Sequence, residues 1–281
     1  MAGRSYELQK FSGKVLIVRN QVYHKVHIEE SKRDKDCGTC DKDTRAVEAL
    51  EFVESIEKED EKVENLVKKF KELGFKDIYG GTESFVQKDK TKKEIIKLLE
   101  EVAKQDFKDY YCFICVILSF GKDGVITCIP DSDESAKKPT PSMQLPVSEL
   151  QECLKGDKCK GLLMKPKIFM LQLEDVTTDK PDGSGDHETA RVKPIKIPRE
   201  ADFLIYNCET QYAVEAWTDG LNRYVNDKDP MEIQKLLVRM NNIIHSRNVE
   251  VGMSSLPVPC VTSLLTKEVY LGKKLDQPVH S

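Results

Sequence analysis

Cys112-Phe113-Ile114-Cys115-Val116-Ile117-Leu118 is an uninterrupted apolar run of seven residues. A strand with one wet face would alternate apolar and polar residues; an unbroken run suits a parallel strand covered on both faces. Working outward, Lys14-Val15-Leu16-Ile17-Val18, Lys167 to Leu171, Phe203 to Tyr206 and Cys260 to Leu264 read as further strands of that kind, and Lys76 to Tyr79 as a short one closed by Gly80-Gly81. Amphipathic stretches lie between them. Thr44 to Leu73 carries Val47, Leu50, Val53 and Ile56, then Val63, Leu66, Val67, Phe70 and Leu73 after an acidic stretch, and Gly74 ends it. Thr91 caps a helix that places Ile95, Leu98, Leu99 and Val102 on one face. Two more helices are expected, at about Glu209 to Val225 and from Pro230 onward, the second burying Ile233, Leu236, Leu237, Met240, Ile243 and Ile244. Strands alternating with helices predict an α/β fold: a mostly parallel central sheet of about six strands, flanked by helices on both faces. Sites in such sheets form at the carboxyl ends of strands, so the residues after Leu118 and Leu171 are the ones to inspect.

Composition narrows the function. The 281 residues include 44 basic and 48 acidic ones, a net charge of −4 that gives no basis for nucleic-acid binding. No apolar run approaches the roughly 20 residues that span a bilayer, and Met1 to Phe11 lacks a signal-peptide core. These features predict a soluble, cytoplasmic chain. Cysteine is present nine times, an odd number; Cys112, Cys115, Cys128, Cys208 and Cys260 sit in apolar runs and read as buried thiols. Cys37 and Cys40 have metal spacing but no second His/Cys pair to complete four ligands, and Cys112 and Cys115, three apart on a strand, face opposite sides. No metal or other cofactor is expected. Val176 to Arg199, with Pro181, Gly183, Ser184, Gly185, Pro194 and Pro198 and no apolar period, reads as a linker.

Four stretches, in order, resemble the caspase protease domain. Cys112 to Gly124 resembles the strand that ends in Ser-His-Gly; Lys165-Pro166-Lys167-Ile168-Phe169-Met170-Leu171-Gln172 resembles the strand leading to the catalytic cysteine. Ile197 to Leu204 resembles the start of the small subunit, and Pro259 to Tyr270 its final strand. The resemblance implies a peptide at 1–12, a large-subunit-like region at 13–175, an intersubunit linker at 176–199 and a small-subunit-like region at 200–281. It also implies the domain order of effector caspases, with no room before Gly13 for a recruitment domain.

The resemblance further implies a damaged site. The family signature is Gln-Ala-Cys-(Arg, Gln or Gly)-Gly, with a histidine about 50 residues upstream. Gln172-Leu173-Glu174-Asp175-Val176 occupies the five positions, so Glu174 stands where the nucleophile belongs and Phe120, 54 positions upstream, where the histidine belongs. A benzyl group cannot shuttle protons, and a carboxylate opposes the charge of a tetrahedral oxyanion. Gly121 remains from the oxyanion hole. Caspases grip a substrate aspartate with two arginines and the signature glutamine. Gln172 survives, but the motif of the first arginine reads Asp36-Cys37-Gly38-Thr39, with Arg33 the alternative at that place. The loop of the second arginine is missing between Tyr206 and Trp217, which belongs to the following helix. Ser119 and Asp175 adjoin the two positions without a histidine; His24 and His27 are the candidates for a displaced base.

The expectation is therefore a non-catalytic homologue that regulates or decoys an active caspase. Its partner would be that caspase or a second copy, through the strand residues Val258, Cys260, Val261, Thr262, Ser263 and Leu264. Two alternatives stand beside it: a peptidase with displaced catalytic residues, and a substrate or scaffold cut in its linker. Asp179-Lys180-Pro181-Asp182 before Gly183 has the form of an effector-caspase site, and Asp106 to Asp109 repeats the spacing by chance. The acidic stretch Glu54 to Glu64 resembles an insertion and reads as a solvated face without a role.

Overall fold

The computed structural model describes residues 5–6, 11–21, 42–80, 84–131, 140–174, 201–226, 231–250 and 259–271, with side chains except at 11, 42–53 and 224–226. Among them, nine strands form one sheet. Six make its main path in the order β2-β1-β4-β7-β8-β9: β2 (Phe75–Asp77), β1 (Phe11–Arg19), β4 (Tyr110–Lys122), β7 (Lys167–Glu174), β8 (Phe203–Cys208) and β9 (Cys260–Ser263). The path is parallel from β2 to β8. Three short strands lie off it: β3 (Val86–Lys88) beside β1, and β5 (Val125–Thr127) and β6 (Gln144–Pro146), an antiparallel extension of β4.

The apolar run at 112–118 is the middle of β4, and its alternation builds two cores. Cys112, Ile114, Val116 and Leu118 face one layer with Val63, Leu66 and Phe70 of α1 (Lys42–Glu72), Trp217 of α4 (Ala213–Asn226) and Leu236, Leu237 and Met240 of α5 (Ile233–Glu250). Phe113, Cys115 and Ile117 face the other, with Ile95, Leu98, Leu99 and Val102 of α2 (Lys92–Ala103) and Leu150 of α3 (Val147–Cys153). Cys112 and Cys115 thus point to opposite faces, as strand geometry requires. Burying each such Leu, Ile or Val side chain contributes about 1.5–3 kcal/mol, so covering β4 on both faces stabilises the sheet from both layers.

Helix α2 begins where the sequence places it: Thr91 Oγ1 accepts a hydrogen bond from Glu94 N, and the Glu94 carboxylate accepts one from Thr91 N, a capping box. Gly74 ends α1 at φ +82°, a conformation that glycine adopts without strain. Several expectations are corrected. The strand read at Lys76 to Tyr79 is β2, Phe75–Asp77. The helix expected from Glu209 starts at Ala213, and the one expected from Pro230 is described from Ile233, Pro230 itself lying outside the described residues. The strand at 260 is neither parallel nor covered: β9 runs antiparallel to β8 at the sheet edge, and Cys260 is exposed. A four-residue edge strand has only one neighbour to bury it, so its apolar residues do not report a core position. Glu54 to Glu64, read as a solvated face without a role, makes tertiary contacts. α1 is continuous, and Glu59, Asp60 and Lys62 in that stretch form ion pairs with Arg19, Lys88 and Glu215.

Candidate functional site

Parallel strands bring their carboxyl ends to one edge, and β1, β4 and β7 end together. Phe120 of β4 and Glu174 of β7 are register partners. Strand parity puts both side chains on the face shared with α1, α4 and α5, the face of Leu118 and Met170. Gln172, two residues before Glu174, lies on that face and is level with Leu118 and Cys208. Phe120 is 6% exposed and Gln172 3%, so the benzyl group belongs to the core margin and not to an open cleft. Ser119 alternates to the other face, where its hydroxyl donates to Thr127 O at 2.6 Å, away from Glu174.

A residue that sequence reasoning missed joins this group. Just past the end of β1, Asn20 N donates to Leu118 O at 2.8 Å, and Asn20 is fixed by two hydrogen bonds with the backbone of Lys90. Gln21 follows, 3% exposed, and its amide donates to Glu174 Oε1. Gln172 Nε2 donates to the same oxygen at 3.1 Å, while Gln172 Oε1 accepts from Val214 N at the start of α4, also at 3.1 Å. One carboxylate oxygen therefore joins the ends of β1 and β7, and through Gln172 the first turn of α4. The signal was legible: Arg19-Asn20-Gln21 is a polar triplet directly after an apolar strand, at the sheet end where sites form.

Among the described residues no imidazole lies at this edge, and its thiol is not poised to ionise. Cys208, level with Gln172, is buried, and burial pushes its thiol up to about 12. Burial also raises the thiols of Cys112, Cys115, Cys128, Cys153 and Cys159. His245 sits exposed on α5. His24, His27, His187, His280, Asp36, Arg33, Cys37, Cys40, Asp175, Asp179, Asp182 and Gly183 lie outside the described residues, as does Val258. Gly121 is level with Ile126 in the β4–β5 hairpin, and a methyl group there would strike Val125 O, which is why glycine occupies it. The connection from β8 to α4 is the four residues 209–212, and Trp217 is buried in α4, as read from the sequence. Of the chance match at Asp106 to Asp109, Phe107 is fully buried, so that stretch is no protease site.

Among the described residues no His, Cys, Asp or Glu cluster is placed to hold a metal ion, and no helix is long and apolar enough to cross a membrane. Comparison with known proteins gives the same family as the sequence resemblance. The family model described as the caspase domain matches residues 53–270. Caspase-7 of Gallus gallus is 29% identical, over 73% of this chain and 67% of its own length. Caspase-3 of Mesocricetus auratus and of Mus musculus are each 30% identical, over 65% of this chain and 67% of their own length. A parallel sheet extended by an antiparallel edge strand, the family stretches in their order along the sequence and a family model matched over residues 53–270 make this chain a member of the caspase family.

Proposed function

We propose that this caspase domain has no peptidase activity and acts as a regulator or decoy of an active caspase. The observation that carries the reading is the level pair Phe120 and Glu174 at the tips of β4 and β7, where the family signature calls for histidine and cysteine. Peptide hydrolysis by this family needs a thiolate and a base that returns its proton. Phe120 provides no proton, and Glu174 is held by two glutamine amides. Gly121 is the remaining oxyanion-hole element and Gln172 the remaining pocket element. Without nucleophile or base, these leave only residual catalysis.

Regulation would run through association. β9 ends the sheet with its outer edge uncovered by any described strand, and Val261 on it is 39% exposed. A second copy or an active caspase adding its own last strand there would continue the sheet across a two-fold axis. The large-like region at 13–175 and the small-like region at 200–281 would then stay in one chain or separate at the linker without changing that surface. The proposed setting is cytoplasmic, in apoptosis or a related pathway.

The purified chain incubated with aspartyl peptide substrates is expected to give no turnover above a buffer blank. Turnover that persisted in Glu174→Ala, after controls for a copurifying protease, would refute the reading. Gel filtration of the chain alone and mixed with an active effector caspase tests association. Val261→Glu, placing like charges across the two-fold, is expected to abolish any dimer peak, and a monomer in both wild-type runs would remove the association arm.

A further inference from the structure

Gln21, two residues past the end of β1, and Gln172 of β7 approach one carboxylate, and both are 3% exposed. The direction of the Gln172 amide is not free. Its oxygen is committed to Val214 N at 3.1 Å, so its NH2 group faces the other way, and the atom it meets at 3.1 Å is Glu174 Oε1. Gln21, from the segment just after β1, donates to that same oxygen. Asn20 fixes the backbone behind Gln21, through Leu118 O and through both hydrogen bonds to Lys90. Two buried, backbone-anchored N–H donors converging on one point are what a carboxylate site consists of. Such donors gain most from a charged acceptor and lose most when left without one.

Removing the Glu174 side chain would therefore leave two buried amides aimed at an emptied position, a position of the size and polarity of a small carboxylate. We propose that Gln21 and Gln172 form a carboxylate-binding site and that the chain fills it with its own Glu174, closing this edge of the sheet to an acidic side chain from outside. Its regulatory meaning rests on the proposed reading of this edge as the family's substrate cleft; the site itself rests on the hydrogen bonds. Gln21 acts as a positioning residue in this arrangement, since it holds the carboxylate without taking part in chemistry.

The test is replacement of the tethered carboxylate by a free one. Glu174→Ala is titrated with sodium acetate against sodium chloride at equal ionic strength, up to about 100 mM, the range in which a weak ligand shifts a folding midpoint. Acetate, and not chloride, is expected to raise the melting temperature of Glu174→Ala and to move the side-chain NH2 signals of Gln21 and Gln172 in a nitrogen–proton correlation spectrum. Wild type should show neither response, and Gln21→Ala combined with Glu174→Ala should lose most of both. Equal responses in wild type and Glu174→Ala, or still glutamine signals in Glu174→Ala, would overturn the site. If Glu174→Ala does not fold, the wild-type protein decides. The two NH2 signals must then move together as the solution is acidified and Glu174 takes up its proton, and Glu174→Gln must abolish that common movement; separate titrations would overturn the site. Peptidase turnover by the wild type would instead strike the proposed function and leave these readouts standing.

Discussion

Arg19 places a guanidinium at 1% exposure on the last residue of β1, one of the largest fully buried side chains among the described residues. On its strand it alternates with Val18 and therefore faces α1, where Glu59 and Asp60 form ion pairs with it; Lys88 of β3 shares Asp60 at 3.2 Å. A buried charge is tolerable only when paired, and here the partners come from one helical turn positioned over the strand end. The planar fork of arginine reaches two carboxylates at once, which lysine cannot match. Arg19→Ala leaves two adjacent carboxylates without their cation. Both reach water, being 23% and 36% exposed, so the expected loss is about 2 kcal/mol, below the roughly 3–5 kcal/mol of a fully buried pair broken on one side. The urea midpoint measures it, and Arg19→Lys should recover only part of the loss. An unchanged midpoint in Arg19→Ala would show that α1 is not held through this contact.

At the scale of elements, α1 shows why a charge run deceives. Its acidic stretch has no apolar period and reads as surface. Yet Lys62 pairs with Glu215 of α4 at 2.5 Å, and Arg247 of α5 meets Glu215 at 2.6 Å and Asp219 at 3.3 Å, so the three helices of one layer are tied by charge outside their apolar seam. Periodicity reports what faces a core, and a tertiary ion pair leaves no period to read. The same limit explains β9, whose apolar composition matches a central strand while its position is an edge. By contrast the β4 run, the Thr91 cap and the Gly74 stop were legible because each is decided locally, by burial, by one hydrogen-bonded box and by one backbone angle. In the candidate site, the family register singles out Phe120, Gln172 and Glu174, whereas Gln21 is marked in the sequence only by its place in the polar triplet after β1, and its contact with Glu174 emerges only in the fold. Gly13, inside β1, carries a strict constraint. A Cβ there would lie 2.5 Å from Cys112 O, 2.8 Å from the Phe75 ring and 2.9 Å from Cys112 Sγ, on the two strands that flank β1. Because backbone is among the obstacles, Gly13→Ala is expected to cost about 1–3 kcal/mol by overpacking. It should also speed hydrogen exchange in β2, the short outer strand, before β4; uniform exchange rates across both strands would contradict this.

Across the whole molecule, one contact joins the beginning of the chain to the region after the linker. The Tyr6 hydroxyl donates to Asp202 Oδ1 at 2.5 Å, and Thr266 Oγ1 donates to the same oxygen at 2.6 Å. Thr266 N donates to the Tyr6 hydroxyl at 3.2 Å, and Ser5 bridges Glu268. Asp202 is the hub. It adopts φ +73°, a left-handed conformation that aspartate tolerates better than most residues, and its backbone bonds to Lys167 at the start of β7 and to Leu264 past β9. This clasp ties 5–6 to both 202 and 266–268 without using residues 176–199, so it would hold the pieces together after any cut in that segment, including one at Asp182. Its strength should depend on pH in a defined direction. Burial, and then the neighbouring Asp202 carboxylate, raise the Tyr6 phenol from 10 to about 12. Below pH 10 the phenol is protonated in both folded and unfolded chains, and its contribution is complete. Between pH 10 and about 12 the unfolded chain releases the proton while the folded chain keeps it. The unfolded state then binds fewer protons, so stability falls as pH rises through this window, and no further loss from Tyr6 follows above it. Tyr6→Phe removes the titrating group together with a hydrogen bond to a carboxylate, a loss of about 2 kcal/mol at neutral pH. Urea midpoints of the two proteins measured side by side across the window separate this group from the cysteines, lysines and other tyrosines that titrate there, because those are common to both. The wild-type advantage should shrink steadily with rising pH; two parallel curves would show that the phenol is not held by Asp202 in the folded chain.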